Sequence, residues 1–101
     1  MGLKLFVDDT RDFPKGYECV RSYDDCIMYF RLFGDFDHVS LDYHLGEEHT
    51  GLDILKWMKE NGKEPKHINI HSNHIVGMRE MKKYAEENFK NSVITMNTLY
   101  K

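Results

Sequence analysis

The sequence predicts an α/β domain built on a parallel sheet, and three observations carry that prediction. Five short apolar runs alternate with segments of helical periodicity. No linker, repeat or low-complexity stretch interrupts the 101 residues, a length that suits one domain spanning 1–101. Two of the runs end in carboxylates: Leu3-Lys4-Leu5-Phe6-Val7 leads into Asp8-Asp9, and His38-Val39-Ser40-Leu41 into Asp42. Strands alternating with helices imply βαβ units with right-handed crossovers. Open α/β sheets bind their ligands at the carboxyl rim.

The elements follow in order. Leu3 to Val7 is the first strand, and Thr10-Arg11-Asp12-Phe13-Pro14-Lys15-Gly16 is a loop by its Pro and Gly. Tyr17 to Arg21 is a short second strand. Ser22 and Asp25 form a capping-box pattern, and Tyr23, Cys26, Ile27, Phe30 and Phe33 share one helical face up to Gly34. His38 to Leu41 is the third strand. Thr50 and Asp53 cap a helix with an inner stripe of Ile54, Leu55 and Met58, closed by Asn61-Gly62. Ile68 to His71 is the fourth strand. A third helix runs from about Ile75 to Asn88 with Met78, Met81 and Ala85 facing in, and Val93 to Met96 is the fifth strand.

Strands of parallel sheets are normally apolar on both faces, yet these alternate. Leu3, Leu5 and Val7 oppose Lys4 and Phe6; Val39 and Leu41 oppose His38 and Ser40; Ile68 and Ile70 oppose His67, Asn69 and His71. Three helices for five strands then imply that all three cover one face. The other face is left to the Thr10–Gly16 loop, to water or to a partner. Either it is a homodimer surface through Phe6 and its neighbours, or Phe13, Pro14 and Tyr17 fold over it. The same parity sends Asp8, Asp42 and His71 toward that helix-poor side.

Composition narrows the function. A net charge of −3 argues against a general nucleic-acid-binding surface, and no apolar run approaches a membrane span. Met1-Gly2-Leu3-Lys4 has no signal-peptide pattern, and Cys19 and Cys26 form no CxxC; both read as small core hydrophobes in a reducing, cytoplasmic setting. Three clustered carboxylates repel one another and need a counter-charge, which a hard divalent cation supplies through oxygen ligands. Asp8 and Asp9 also suit a plain loop buttress, but their coincidence with Asp42 favours a metal. Arg11 reads equally as a solvated loop cation and as an anion clamp. His44, His71 and His74 lie just beyond carboxyl-end positions, so at least one is expected in the pocket. Thr50-Gly51 reads as a cap and a close helix–sheet approach.

Val7-Asp8-Asp9, Leu41-Asp42, Thr50-Gly51-Leu52-Asp53-Ile54-Leu55 and Ser72 together resemble a response-regulator receiver domain over nearly the whole chain. The resemblance implies a receiver-like (flavodoxin-like) five-stranded parallel sheet in 2-1-3-4-5 order. It also implies Mg²⁺ at the acidic pair and Asp42, with Asp42 accepting a phosphoryl group that Ser72 contacts. Three features depart from it. A short loop replaces the first receiver helix, the last helix is missing, and Ile94-Thr95-Met96-Asn97-Thr98 has no Lys, with Lys101 too far along to substitute. Asp8-Asp9-Thr10-Arg11, Leu41-Asp42-Tyr43-His44-Leu45-Gly46, Thr50-Gly51-Leu52-Asp53 with Trp57, and Ile70-His71-Ser72-Asn73 with Gly77 and Met81 more narrowly resemble cyclic-phosphate processing receiver domains. Haloacid-dehalogenase-like phosphatases fit less well, because their second Asp would fall at Thr10.

The expected site follows from both readings. Asp8, Asp9 and Asp42 hold Mg²⁺ or Mn²⁺. Arg11, Ser72 and Asn73 bind phosphate. His71, and after it His44, moves a proton beside Asp42. The expected partner is a phosphate-containing small molecule or an RNA end. The alternative is a non-catalytic or phosphorylatable receiver that acts as a signalling and interaction module.

Overall fold

The computed structural model describes residues 2–98. Eight elements follow one another: β1 Lys4–Val7, β2 Glu18–Val20, α1 Tyr23–Phe33, β3 His38–Leu41, α2 Gly51–Glu60, β4 His67–Ser72, α3 Ile75–Asn88 and β5 Val93–Thr98. All five strands are parallel, in the order β2-β1-β3-β4-β5.

That order dictates where the helices go. The steps β2 to β3, β3 to β4 and β4 to β5 all move in the same direction across the sheet. Right-handed crossovers therefore place α1, α2 and α3 on one face. The step from β1 to β2 runs the opposite way, so its connection belongs on the other face, where Pro14 and Tyr17 do lie against the strands. Register then sorts the side chains into rows. Leu5, Val39, Ile68 and Ile94 are neighbours across four strands, and so are Val7, Leu41 and Ile70. These rows meet Cys26, Phe30, Ile54, Leu55, Met58, Met78, Met81 and Ala85 from the helices in one dry core.

The helix boundaries are as read, because each is set by local chemistry. The Ser22 hydroxyl accepts the Asp25 backbone N–H at 3.1 Å, and the Asp53 carboxylate accepts the Thr50 N–H at 2.9 Å. Gly34, with φ of 82°, ends α1 in a backbone region that favours glycine. The strands differ more. β4 reaches Ser72 and β5 reaches Thr98, since each extends the other's ladder through the pairs His71–Asn97 and Ser72–Thr98. Phe33 sits at the end of α1 and is half exposed rather than facing in. Cys19 is only half-buried, because β2 is an edge strand; Cys26 is fully buried.

Gly51 is a close-contact position. A Cβ there would collide with the Asp42 carbonyl oxygen and crowd the Met81 methyl group. The Gly51 N–H donates to Tyr43 O at 2.9 Å. The start of α2 is thereby pressed against the segment that carries Asp42.

Candidate functional site

Register brings Asp8 and Asp42 side by side. Val7 pairs with Leu41, so the residues that follow them emerge together, and the Asp42 N–H donates to Val7 O at 3.0 Å. Asp8 is 0% exposed and Asp42 4%. Together with Asp9 they place one carboxylate oxygen each within 4.8 Å of one another.

Asp8 organises the loop that follows it. Its Oδ1 accepts the backbone N–H groups of Thr10 at 3.0 Å and Arg11 at 2.9 Å. Its Oδ2 accepts Arg11 Nη1 at 2.9 Å and His71 Nε2 at 3.0 Å. A carboxylate offers about four acceptor sites, so Asp8 is saturated within the chain. Burial alone would raise its pKa, but the His71, Arg11 and Thr10 hydrogen bonds overcome that and hold it well below the usual carboxylate range. Asp42 goes the other way: burial raises its pKa, and the Asp8 charge adds to this against the hydrogen bond from Ser72. Two adjacent carboxylates are thus driven apart by their surroundings.

The counter-charge in this arrangement is Arg11. Its Nη1 bridges Asp8 Oδ2 at 2.9 Å and Asp42 Oδ2 at 3.1 Å. Arg11 is thus not a solvated loop cation, and its pairing with the chain's own carboxylates is a role that neither sequence reading named. Arg21 pins the same loop, donating from Nη1 to the carbonyls of Asp8 at 3.2 Å and Arg11 at 2.6 Å. Nothing in the sequence singled out Arg21, because backbone carbonyl acceptors leave no trace in residue identity.

His71 reaches the site from beneath. It is 2% exposed, and its ring stacks on Phe6 with centroids 4.3 Å apart. Both its nitrogens are engaged, Nε2 with Asp8 and Nδ1 with Ser40 Oγ at 2.7 Å. An ionised Asp8 requires the proton on Nε2. With neutral imidazoles the donors then run in one direction from His67 through Thr95, Asn69, Ser40 and His71 to Asp8, over contacts of 2.6, 2.7, 3.1, 2.7 and 3.0 Å. Such a one-way chain polarises toward its acceptor end. The sequence reading set His71 in the pocket beside a reacting oxygen; the structure instead buries it as the link between this chain and Asp8.

The residues open to a ligand lie on the upper side of the rim. A cleft of about 230 Å³ is lined by Asp9, Thr10, Arg11, Asp42, His44, Ser72, Asn73 and His74. It gathers Asp9, Asp42, Arg11, His44, Ser72 and Asn73 as the sequence suggested, and it adds His74. That residue caps α3, its Nδ1 accepting the Gly77 N–H at 2.9 Å. The neutral ring therefore carries its proton on Nε2. The His44 and His74 rings meet edge to face at 4.6 Å, and Tyr43 stacks on His74 at 4.8 Å. A side chain at Gly77 would run into the Tyr43 ring, so glycine permits that stack. His74 was legible as a residue just past a strand end, while its capping bond was not. Lys101 lies outside the described residues.

A family model described as the cyclic-phosphate processing receiver domain matches residues 3–87. The chain belongs to that family. Its receiver-like architecture follows both from this match and from the strand order. No curated protein and no solved structure matches the chain. Among the described residues no helix is long and apolar enough to cross a membrane.

Proposed function

We propose that this receiver-like domain opens cyclic phosphates at its carboxyl rim. The observation that carries the reading is the rim cleft. It brings carboxylates, a guanidinium, two imidazoles, two hydroxyls and an amide from three segments into one concavity, in a chain of the cyclic-phosphate family.

Charge accounting sets a condition on it. Asp8, Asp9 and Asp42 face one guanidinium, so the rim is net negative and repels a phosphate. The three carboxylates fit a hard divalent ion in ligand type and spacing. Asp9 and Asp42 have acceptor capacity to spare, and Asp8 would join by giving up its Arg11 bond. Mg²⁺ or Mn²⁺ held there would supply Lewis-acid polarisation of a phosphoryl oxygen.

The chain's own groups do the rest in this proposal. Arg11, once exchanged from the carboxylates, offsets charge on the phosphoryl oxygens through its fork of donors. Ser72 and Asn73 orient the phosphate. Hydrolysis adds water to phosphorus and breaks one ring P–O bond. One proton leaves the water and one is delivered to the departing oxygen. His44 is placed to deliver the proton to the departing oxygen and Asp42 to receive the water's proton. His74, with Nδ1 held by the Gly77 N–H, donates a hydrogen bond from Nε2 to a phosphoryl oxygen. His71 acts as a positioning residue that fixes Asp8.

The test is hydrolysis of a nucleoside 2′,3′-cyclic phosphate with Mg²⁺ or Mn²⁺. Wild type is run beside Asp42→Asn and His44→Gln. Turnover that falls at least tenfold in both supports the proposal. No turnover, with stable labelling of Asp42 by acetyl phosphate, returns the domain to phosphoryl-Asp signalling, which the Asp42–Ser72 hydrogen bond favours. Self-association through the helix-free face draws little on Phe6, which is 7% exposed beneath Tyr17 and His71.

A further inference from the structure

The helix-free face holds a second cavity, of about 630 Å³, beneath the β1–β2 loop. Its volume is that of a small-molecule site. Solvated sheet faces usually carry Lys and Glu. Lys4 stands at the edge of this face with its Nζ 5.6 Å from the Tyr17 ring centroid, and Asp12 joins the lining from the loop. The floor itself, however, presents uncharged hydrogen-bonding groups and imidazoles on four neighbouring strands, with Phe6, Ser40, Asn69 and Thr95 in one register row.

Three features define what fits. The first is aromatic surface, from Tyr17 and the His38 and His67 rings. Tyr17 stands edge-on to His38 at 5.3 Å, and His38 meets His67 at 4.3 Å. The second is amide chemistry. Asn69 uses one N–H on Ser40 and one acceptor site on Thr95, leaving one donor and one acceptor side by side. Asn97 adds an exposed amide at the same wall. The third is connection: Arg11 lines both this cavity and the rim cleft.

We infer that the sheet-face cavity is a nucleobase site, so that the substrate class is a nucleoside cyclic phosphate whose phosphate lies in the rim cleft and whose base lies against Tyr17, His38 and Asn69. An adjacent donor and acceptor match the edge of a base as an amide matches adenine. Rings stack on its faces, and a guanidinium sits where the sugar-phosphate must pass. This inference rests on the cyclic-phosphate reading for the rim and adds the recognition of the base.

The experiment uses three probes on the whole chain: adenosine, adenosine 2′,3′-cyclic phosphate, and methyl riboside 2,3-cyclic phosphate, which has no base. Binding is followed by NMR of the Tyr17, His38 and His67 rings and by calorimetry. Wild type is compared with Tyr17→Leu and Asn97→Ala; Asn97 is exposed, so its variant tests recognition without disturbing the fold. Adenosine alone is expected to shift the three rings. The adenosine cyclic phosphate is expected to bind roughly tenfold or more tightly than the base-free ester, as base stacking commonly provides, and each variant is expected to shrink that ratio. Equal binding of the two esters, unchanged in both variants, overturns the base site while leaving the rim reading intact. Adenosine seated in the cavity with neither ester perturbing the rim leaves the base site standing and overturns the rim reading.

Discussion

The two faces of this sheet are made by the same strands, one residue out of step, and they do opposite work. Leu5, Val39 and Ile68 point to the helices and are 0% exposed. Ser40 and Asn69 point the other way into a hydrogen-bonded chain that ends on Asp8, and Phe6 stacks on its His71. The first face is held by apolar burial, which is strong and non-directional. The second is held by polar pairs whose partners must each be present. A period of two thus lets one set of strands carry stability on one side and a tuned site on the other.

The comparison is tested first where the effect is largest. Phe30→Ala in the helix-side core should cost about 3–5 kcal/mol and lower the denaturant midpoint, with the rim otherwise unchanged. A loss below about 1 kcal/mol would mean that the helix face is not the main source of stability.

Asp8→Asn tests the other face. It removes the acceptor charge on which the His71 and Arg11 bonds converge, and should cost about 3 kcal/mol at neutral pH. Because Asp8 is held below its ordinary value of 3.8, its contribution is present above that pH and lost as pH falls below it. The variant should therefore lose part of the wild type's acid sensitivity, read from denaturant midpoints across the acid range.

Arg11→Ala separates the internal counter-charge from a metal. Arg11 Nη1 holds one oxygen of each of Asp8 and Asp42, the carboxylates that a divalent ion would share, so the variant should bind Mn²⁺ more tightly in a paramagnetic-broadening titration. Weaker binding would mean that guanidinium and ion do not compete.

His38 gives a smaller, pH-resolved effect. Burial, and after it the neighbouring His67 and Lys4, depress its pKa from 6.5 to about 4. A depressed His stabilises the fold above its unfolded value and loses that contribution as pH falls from 6.5 toward 4. His38→Gln should flatten the stability profile in that window only. Smallest of all, Lys82→Ala on α3 removes an exposed pair with Glu86 at 2.9 Å, and should shift stability by no more than about 0.5 kcal/mol.

Much of this was legible along the chain. The ends of α1 and α2 were readable because caps act over three or four residues, and α3 because its apolar residues recur at helical spacing. The single-sided helix layer and the convergence of Asp8, Asp42 and His71 were readable because strand side chains alternate. The extent of β4 and β5 was not, because each strand is lengthened by its partner.

What the sequence determined by itself is therefore what short-range rules encode: the element order, the alternation that makes one face apolar and the other polar, and the residue types gathered at the rim. What only the tertiary structure decided is which of those groups are used up by one another. Alternation sends Asp8, Asp42 and His71 to one side, but Arg11 is thirty-one positions from Asp42 and His71 sixty-three from Asp8, and no local pattern says that they bond to one another. The meeting kept His71 out of the rim cleft, set Arg11 between two carboxylates and left His44 and His74 lining that cleft. Hydrogen-bond saturation is a property of distances across strands, and those exist only once the register between strands is set.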